Sequence, residues 1–253
     1  LLVNFMMRFK GFVLHFFCYF QLLLLCNCTT TGDMTVENRD QNLTLLSMDA
    51  SPLSYLALGD SYTIGESVVA SGRWPNQLKD SLKSLQIYID TVTIIAETGW
   101  RTDNLKLEMS SNDKFDFDLV SLLIGVNNQY QGQSAESYEP AFEELLNLAL
   151  DHAGGDVKKV FVLSIPNYGY TPFGVGNKEA ITTDLAKYNE INKRITTAKG
   201  VWYFDITPIS EGALTDTSLV AYDQLHPSAK QYGLWVAEIM RDQLFVDYLR
   251  EAH

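Results

Sequence analysis

Cysteine is missing from most of this chain. The 253 residues include only three cysteines, Cys18, Cys26 and Cys28, and all of them precede residue 29. The remainder therefore has no disulfide framework and no thiolate cluster that could bind zinc. Its stability must come from packing, and a hydrophobic content of 46% is enough for one sizeable core. We therefore predict one globular domain.

Basic residues are also few. The chain carries 19 lysines and arginines against 31 acidic residues, which gives a formal net charge of -12. A field of this sign repels phosphate backbones and anionic membrane surfaces. We therefore expect no nucleic-acid partner.

A hydrophobic run of ordinary membrane-spanning length is lacking as well. The run from Gly11 to Leu25 contains two polar residues and falls short of the ~20 residues that a spanning helix needs. Because Arg8 and Lys10 precede it, the segment has the composition of an export signal. We predict a signal peptide over residues 1–28 and an exported protein, either periplasmic, attached to the cell envelope or secreted. An uncleaved anchor is the alternative.

The end of this signal, LLLLCNCTTTGD, resembles a bacterial lipoprotein signal, in which a cysteine becomes the acylated first residue. Cys28 is the first candidate for acylation and Cys26 the second, so a lipid could tether the protein to a membrane. Leu25 and Asn27 are not the small residues preferred before such a cysteine, so an ordinary signal peptide is the alternative. Residues 29–53, rich in polar residues, are predicted to form a tether.

From residue 54 to 253, short β-branched runs alternate with amphipathic stretches. Such alternation predicts an α/β fold, a three-layer α/β/α sandwich whose sheet has about five parallel strands. The carboxyl ends of parallel strands share one edge of the sheet, where open α/β sheets bind ligands. Strands are predicted at SYLALG, IYIDTVTIIA, FDLVSLLIG, KKVFVLSIP and VWYFDI, with helices between them and one continuous final helix from Ser228 to Leu249.

Polar residues and glycines follow several of these strands. Ser61 follows the first strand, Gly99 the second and Asn127 the third, while Asp223 and His226 come some way after the fifth. A serine hydroxyl is a weak nucleophile that needs a neighbouring base, and the base needs an orienting group. An isolated serine after Gly-Asp would be better interpreted as a helix cap.

The candidate base is found by elimination among four histidines. His15 lies in the signal, His152 ends a predicted surface helix, and His253 is the last residue, which leaves His226. Asp223, three residues earlier, is close enough in a turn to accept a hydrogen bond from Nδ1. Taken alone, the pair could equally be a turn residue and a partly buried loop side chain.

Three groups could donate hydrogen bonds to the oxyanion that forms during ester cleavage. They are the backbone N–H groups of Ser61 and Gly99 and the side-chain amide of Asn127. A glycine also lets the main chain approach a ligand closely. Each residue has an alternative interpretation as an ordinary turn residue.

Four segments, GDSY, AETGWRTDNL, GVNN and DQLH, resemble in order and spacing the sequence blocks of the SGNH hydrolases, also called the GDSL esterase/lipase superfamily. The resemblance implies a flavodoxin-like sandwich and ester hydrolysis by a Ser–His–Asp triad, with no metal or organic cofactor. It implies that Ser61 is the nucleophile, His226 the base and Asp223 its orienting acid, and that Ser61, Gly99 and Asn127 form the oxyanion hole.

One position departs from the family pattern. The third block usually reads Gly-x-Asn-Asp, and Asn128 stands here in place of the aspartate. The resemblance therefore does not predict which hydrogen bonds the residue at this position makes.

The sequence does not choose the ester substrate, nor whether the acyl group passes to water or to another alcohol. Export suggests an acetylated saccharide, a lysophospholipid or a small acyl ester, and the acyl-enzyme could also transfer its acyl group to another alcohol. A non-catalytic carbohydrate- or lipid-binding module is the alternative from another class. A flavodoxin-like cofactor binder is disfavoured because Asp60 and Ser61 stand where phosphate binding would require glycines. No GxSxG motif is present, which argues against an α/β-hydrolase lipase.

Overall fold

The structure of the protein, a computed structural model, describes residues 51–111 and 116–252. The predicted signal peptide, its candidate acylated cysteines, most of the tether and His253 lie outside the described residues. No helix in the described part of the chain is long and apolar enough to span a membrane.

A sheet of five parallel strands forms the centre of the domain, in the order β2-β1-β3-β4-β5. The chain runs outward from β1 to β2 and then returns across β1 to form β3, so the direction of winding reverses between β1 and β3. Ligands bind at such switch points in sheets of this kind. The strands are β1 Leu53–Gly59, β2 Ile89–Ala96, β3 Leu119–Leu123, β4 Val160–Leu163 and β5 Trp202–Phe204.

Helices cover both faces of the sheet. On one face, Phe161 of β4 contacts Trp74 and Phe245, which belong to the second and the last helix of the described residues. Two further long helices, Ala135–Asp151 and Lys178–Ala198, pack against β3 and β5. The parallel sheet with its flanking helices confirms the predicted three-layer α/β/α sandwich. In chain order the helices are α1 Ser61–Ile64, α2 Trp74–Ser84, α3 Thr102–Ser111, α4 Val126–Tyr130, α5 Ala135–Asp151, α6 Lys178–Ala198, α7 Thr207–Glu211, α8 Ala229–Ile239 and α9 Gln243–Glu251.

Two local predictions were wrong. The final helix is not continuous but ends at Ile239, and a new helix begins at Gln243 because the Asp242 carboxylate accepts a hydrogen bond from the Phe245 N–H. His152 is buried rather than at the surface, with 2% of its area exposed. Its carbonyl accepts from the Phe117 N–H just before β3, so His152 lies at the amino end of the sheet.

Candidate active site

Ser61 is presented where β1 ends. A side chain at Gly59 would lie 2.5 Å from the Leu123 carbonyl oxygen and 2.2 Å from the Thr63 hydroxyl, so only glycine fits there. The chain then turns into α1, whose first residue is Ser61. The Asp60 carboxylate caps this helix by accepting the Tyr62 N–H at 3.0 Å. Ser61 is thereby held at the switch point between β1 and β3.

Asp60 itself is buried to an unusual degree for a carboxylate, with 1% of its area exposed. Its Oδ2 atom has no hydrogen-bond partner among the described residues. Burial penalises the charged form and raises the pKa of Asp60 to about 7. The residue next to the predicted nucleophile therefore titrates near neutral pH.

A cavity of about 270 Å³ opens beside Ser61, and we call it the Ser61 pocket. Four of its lining residues were predicted from the sequence as site residues: Ser61, Gly99, Asn127 and His226. Aromatic rings form much of the remaining wall, contributed by Tyr62, Tyr130, Tyr168 and Phe173. The pocket therefore combines a few polar groups with an apolar lining, as ligand sites commonly do.

Asp223 holds the ring of His226. The imidazole Nδ1 lies 2.7 Å from Asp223 Oδ2, and Asp223 Oδ1 accepts the backbone N–H groups of Leu225 and His226, both at 2.9 Å. With Nδ1 occupied in this way, Nε2 is the ring nitrogen free for a reacting group in the pocket.

The carboxylate of Asp223 is strongly favoured in its charged form. Partial burial alone would raise the pKa of Asp223, but hydrogen bonds from Ser67, from two backbone N–H groups and from His226 outweigh it and lower the pKa to about 2. Asp223 is therefore ionised throughout the neutral range.

Sequence reasoning missed Ser67. Its hydroxyl donates to Asp223 Oδ2 at 2.6 Å, across a separation of 156 residues. Nothing in the local sequence GESV distinguishes this serine from an ordinary loop residue. Its position can be recognised only when the loop after α1 is seen beside the loop before α8.

The predicted oxyanion donors lie at the same pocket. Gly99 has a φ of +87°, which strains other residues, and a side chain there would meet nothing within 4 Å. The Asn127 amide donates one hydrogen bond to the Trp100 carbonyl at 2.9 Å. An amide NH2 group has two hydrogens, so this bond orients Asn127 and leaves a second donor.

Asn128, the departure from the family pattern, is fully buried and hydrogen-bonded. Its Oδ1 accepts the Thr102 N–H at 3.2 Å, and its Nδ2 donates to the Thr102 hydroxyl at 2.7 Å and to Gln133 Oε1 at 2.8 Å. The amide thus binds the first turn of α3 to the segment after α4. An aspartate could accept from Thr102 but could not make the bond to Gln133 in this form.

No group of three or more His, Cys, Asp or Glu side chains within residues 51–111 and 116–252 is arranged to hold a metal ion.

A parallel sheet with a serine, a His–Asp pair and amide donors at its carboxyl edge is an arrangement suited to hydrolytic enzymes that use a nucleophile. The family model described as the GDSL-like Lipase/Acylhydrolase family matches residues 57–234. This match spans more than half of the chain, so the chain belongs to that family. The protein is accordingly a carboxylic ester hydrolase, and the resemblance inferred from the four sequence blocks is confirmed.

Solved structures agree on the fold. A member of the lipolytic protein G-D-S-L family from Veillonella parvula is 16% identical, with a TM-score of 0.57 over 76% of this chain and 98% of that one. TesA is 15% identical, with a TM-score of 0.59 over 78% of this chain and 99% of that one. Axe2, an acetylxylan esterase from Geobacillus stearothermophilus, is 19% identical, with a TM-score of 0.59 over 76% and 94%. A comparison with curated proteins gave no match.

Proposed function

We propose that the protein hydrolyses carboxylic esters through an acyl-enzyme on Ser61. His226 is the general base, Asp223 orients it, and Ser61, Gly99 and Asn127 bind the oxyanion. The observation that carries this proposal is the shared pocket of Ser61, Gly99, Asn127 and His226, with Asp223 Oδ2 2.7 Å from the His226 Nδ1.

The reaction has two halves. In the first, Ser61 Oγ attacks the ester carbonyl while His226 Nε2 takes the hydroxyl proton, and the alcohol then leaves with that proton. In the second, His226 removes a proton from water, the hydroxide attacks the acyl group, and the acid leaves as Ser61 recovers its proton. The N–H groups of Ser61 and Gly99 and the Asn127 amide stabilise the oxyanion in both halves, and losing one such donor typically costs ~10²–10³ in rate.

The shape of the pocket favours a short acyl group. A volume of about 270 Å³ is small for a ligand site, and a lysophospholipid chain needs a longer apolar channel. We therefore propose a small acyl ester as the substrate, with an acetylated saccharide as the leading natural candidate. The structural similarity to Axe2, an acetylxylan esterase, supports an acetylated saccharide as the substrate.

Hydrolysis of p-nitrophenyl acetate by the purified protein tests the mechanism. We expect Ser61→Ala to abolish activity while circular dichroism and thermal unfolding stay unchanged. Ser110→Ala is the matched control, because Ser110 is exposed on α3, where its hydroxyl donates to the Lys106 carbonyl, and it does not line the Ser61 pocket. Activity in Ser61→Ala equal to that of the wild type would show that another nucleophile is used. Adding a competing alcohol to the assay separates acyl transfer from hydrolysis.

We also propose that the protein is exported and anchored by a lipid on Cys28. The supporting observation is the basic and apolar N-terminal segment that ends in LLLLCNC. Metabolic labelling with a radioactive fatty acid should mark the wild type, and Cys28→Ser should lose the label while Cys26→Ser retains it. If the label survives in Cys28→Ser and disappears in Cys26→Ser, the acylated residue is Cys26. If the wild type takes up no label, the proposed lipid anchor is refuted.

A further inference from the structure

Two strained backbone positions flank the carboxylate of Asp223. Three non-glycine residues in the described part of the chain have a positive φ: Ser67 at +66°, Gln86 at +65° and Gln224 at +66°. Gln224 directly follows Asp223, and Ser67 donates to Asp223 Oδ2 at 2.6 Å. Left-handed conformations of non-glycine residues cost free energy and persist only where the surroundings impose them.

The turn through Gln224 and the hydroxyl of Ser67 provide hydrogen bonds to different oxygens of the Asp223 carboxylate. The turn through Gln224 brings the N–H groups of Leu225 and His226 to Oδ1, each at 2.9 Å. The hydroxyl of Ser67 reaches Oδ2, the same atom that receives His226 Nδ1 at 2.7 Å. Together these bonds leave the carboxylate little freedom to rotate, and the imidazole that it holds is fixed with it.

Ser67 also connects two parts of the site that are distant in sequence. It lies three residues beyond α1, the helix that begins with Ser61, whereas Asp223 lies in the loop before α8. The bond between them joins the loop that carries the nucleophile to the loop that carries the base. The local sequence offers no other reason for a serine, rather than a glycine, at a φ of +66°.

From these contacts we propose that Ser67 is a positioning residue of the ester hydrolase, which fixes the Asp223 carboxylate and through it the His226 ring. This inference rests on the proposed function of Asp223 and His226. Ser67 does not line the Ser61 pocket, so it acts on the rate through Asp223 and the imidazole.

The proposal predicts an effect on pH dependence as well as on rate. Without the Ser67 hydroxyl, more of the negative charge of Asp223 faces the imidazole, and the protonated ring is favoured. The acidic limb of the kcat/KM profile should therefore move to higher pH by about half a unit. Other ionisable groups lie close to this pair: Tyr62 contacts the His226 ring edge-on, Tyr168 lines the same pocket, Tyr222 precedes Asp223 in the chain, and Tyr232 is affected by the charges of Asp223, Asp60 and Arg73. Glu66 precedes Ser67, and all of these groups are present in every variant compared.

The test separates the hydroxyl from the backbone strain. Ser67→Gly removes the hydroxyl and relieves the strain, so the fold should be at least as stable as that of Ser67→Ala. Ser67→Thr keeps a hydroxyl but places a β-branched residue at a positive φ, so the fold should be less stable. We expect kcat to fall about tenfold in Ser67→Gly and Ser67→Ala, with KM nearly unchanged, and to be largely retained in Ser67→Thr at a temperature where it is folded.

Gln86→Gly is the matched control, because it relieves a similar φ in a turn after α2 and should change neither the rate nor the pH profile. A wild-type rate and pH profile in Ser67→Gly would overturn the proposal. An equal loss in folded Ser67→Thr would overturn it too, because the hydroxyl would not be the cause. Ser61→Ala is measured in parallel: if it stays active, the proposed function fails, whereas if it is inactive and Ser67→Gly is normal, only the role of Ser67 fails.

Discussion

At the scale of single residues, Asp60 is the least expected feature of the site. A carboxyl with 1% exposure precedes the predicted nucleophile, and its Oδ1 accepts the Tyr62 N–H. Burial raises its pKa from 3.8 to about 7. The protonated carboxyl is thus the form that the fold favours, and the charged form is costly.

The stability of the protein should therefore fall as pH rises from about 4 to about 7. In this interval the native state binds the Asp60 proton and the unfolded state releases it, and each unit of pH lowers the free energy of unfolding by roughly 1.4 kcal/mol per such proton. The lowered pKa of Asp223 acts below this interval, since its contribution is lost only as pH falls from 3.8 towards about 2.

Asp60→Asn measures this effect, because an asparagine keeps an oxygen acceptor for the Tyr62 N–H and carries no charge. The stability difference, variant minus wild type, should increase between pH 5 and pH 8 in urea unfolding experiments. Asp80→Asn on α2 is the control for a carboxyl at the surface. A stability difference that does not vary with pH would mean that Asp60 is ionised in the native state at little cost.

At the scale of elements, the pocket is assembled from loops that follow different strands. Tyr130 ends α4 after β3, whereas Tyr168 and Phe173 follow β4, and the three rings lie within 6.5 Å of each other. Tyr130 and Phe173 are 58% and 53% exposed at the mouth of the pocket. The Phe173 N–H donates to the Gln224 carbonyl, which links this aromatic wall to the loop of Asp223 and His226.

Phe173→Ala should weaken substrate binding more than it slows the chemical step. The ring offers apolar area to the acyl or alcohol part of the ester, so we expect KM for p-nitrophenyl acetate to rise about fivefold to twentyfold, with kcat changed little. Leu107→Ala on α3 is the control, because Leu107 is 73% exposed and does not line the pocket. A fall in kcat with unchanged KM would instead indicate that the wall supports the Asp223 loop.

At the scale of the whole molecule, the core supplies the rigidity on which the site depends. No cysteine follows residue 28, so packing must stabilise the domain without covalent help. Phe161 on β4 lies at the centre of an aromatic cluster formed with Tyr55, Trp74, Phe204 and Phe245. All five rings are buried, and they join the sheet to α2 and α9.

Phe161→Ala should destabilise the domain by about 3–5 kcal/mol, because it removes a large buried side chain and leaves a cavity among rings that cannot fill it. Denaturant unfolding would measure this loss of free energy of unfolding. Phe161→Leu should destabilise the domain much less, because the leucine side chain fills most of the space. Esterase activity measured at low temperature, where the variant is still folded, should be largely retained, because Phe161 does not line the Ser61 pocket. A change below about 1 kcal/mol would mean that the cluster repacks around the deletion.

The sequence by itself determined the alternation of strands and helices, and with it the parallel sheet. It also identified the residues at the ends of the strands, because glycines, amides and one suitable histidine stand out after apolar runs. It misjudged the break at Asp242, although that cap is local in sequence because Asp242 accepts the Phe245 N–H three residues further on. It also misjudged the burial of His152, which depends on a tertiary neighbour, the segment of Phe117.

Only the tertiary structure decided which other distant residues support the predicted site. The strand order places the loops after β1, β2 and β3 around one pocket, and no local pattern encodes that order. The same convergence brings Ser67 to Asp223, and Asn128 to Thr102 at the start of α3. Side chains of ordinary composition acquire these contacts because the crossovers of the chain, rather than their sequence neighbours, set their surroundings.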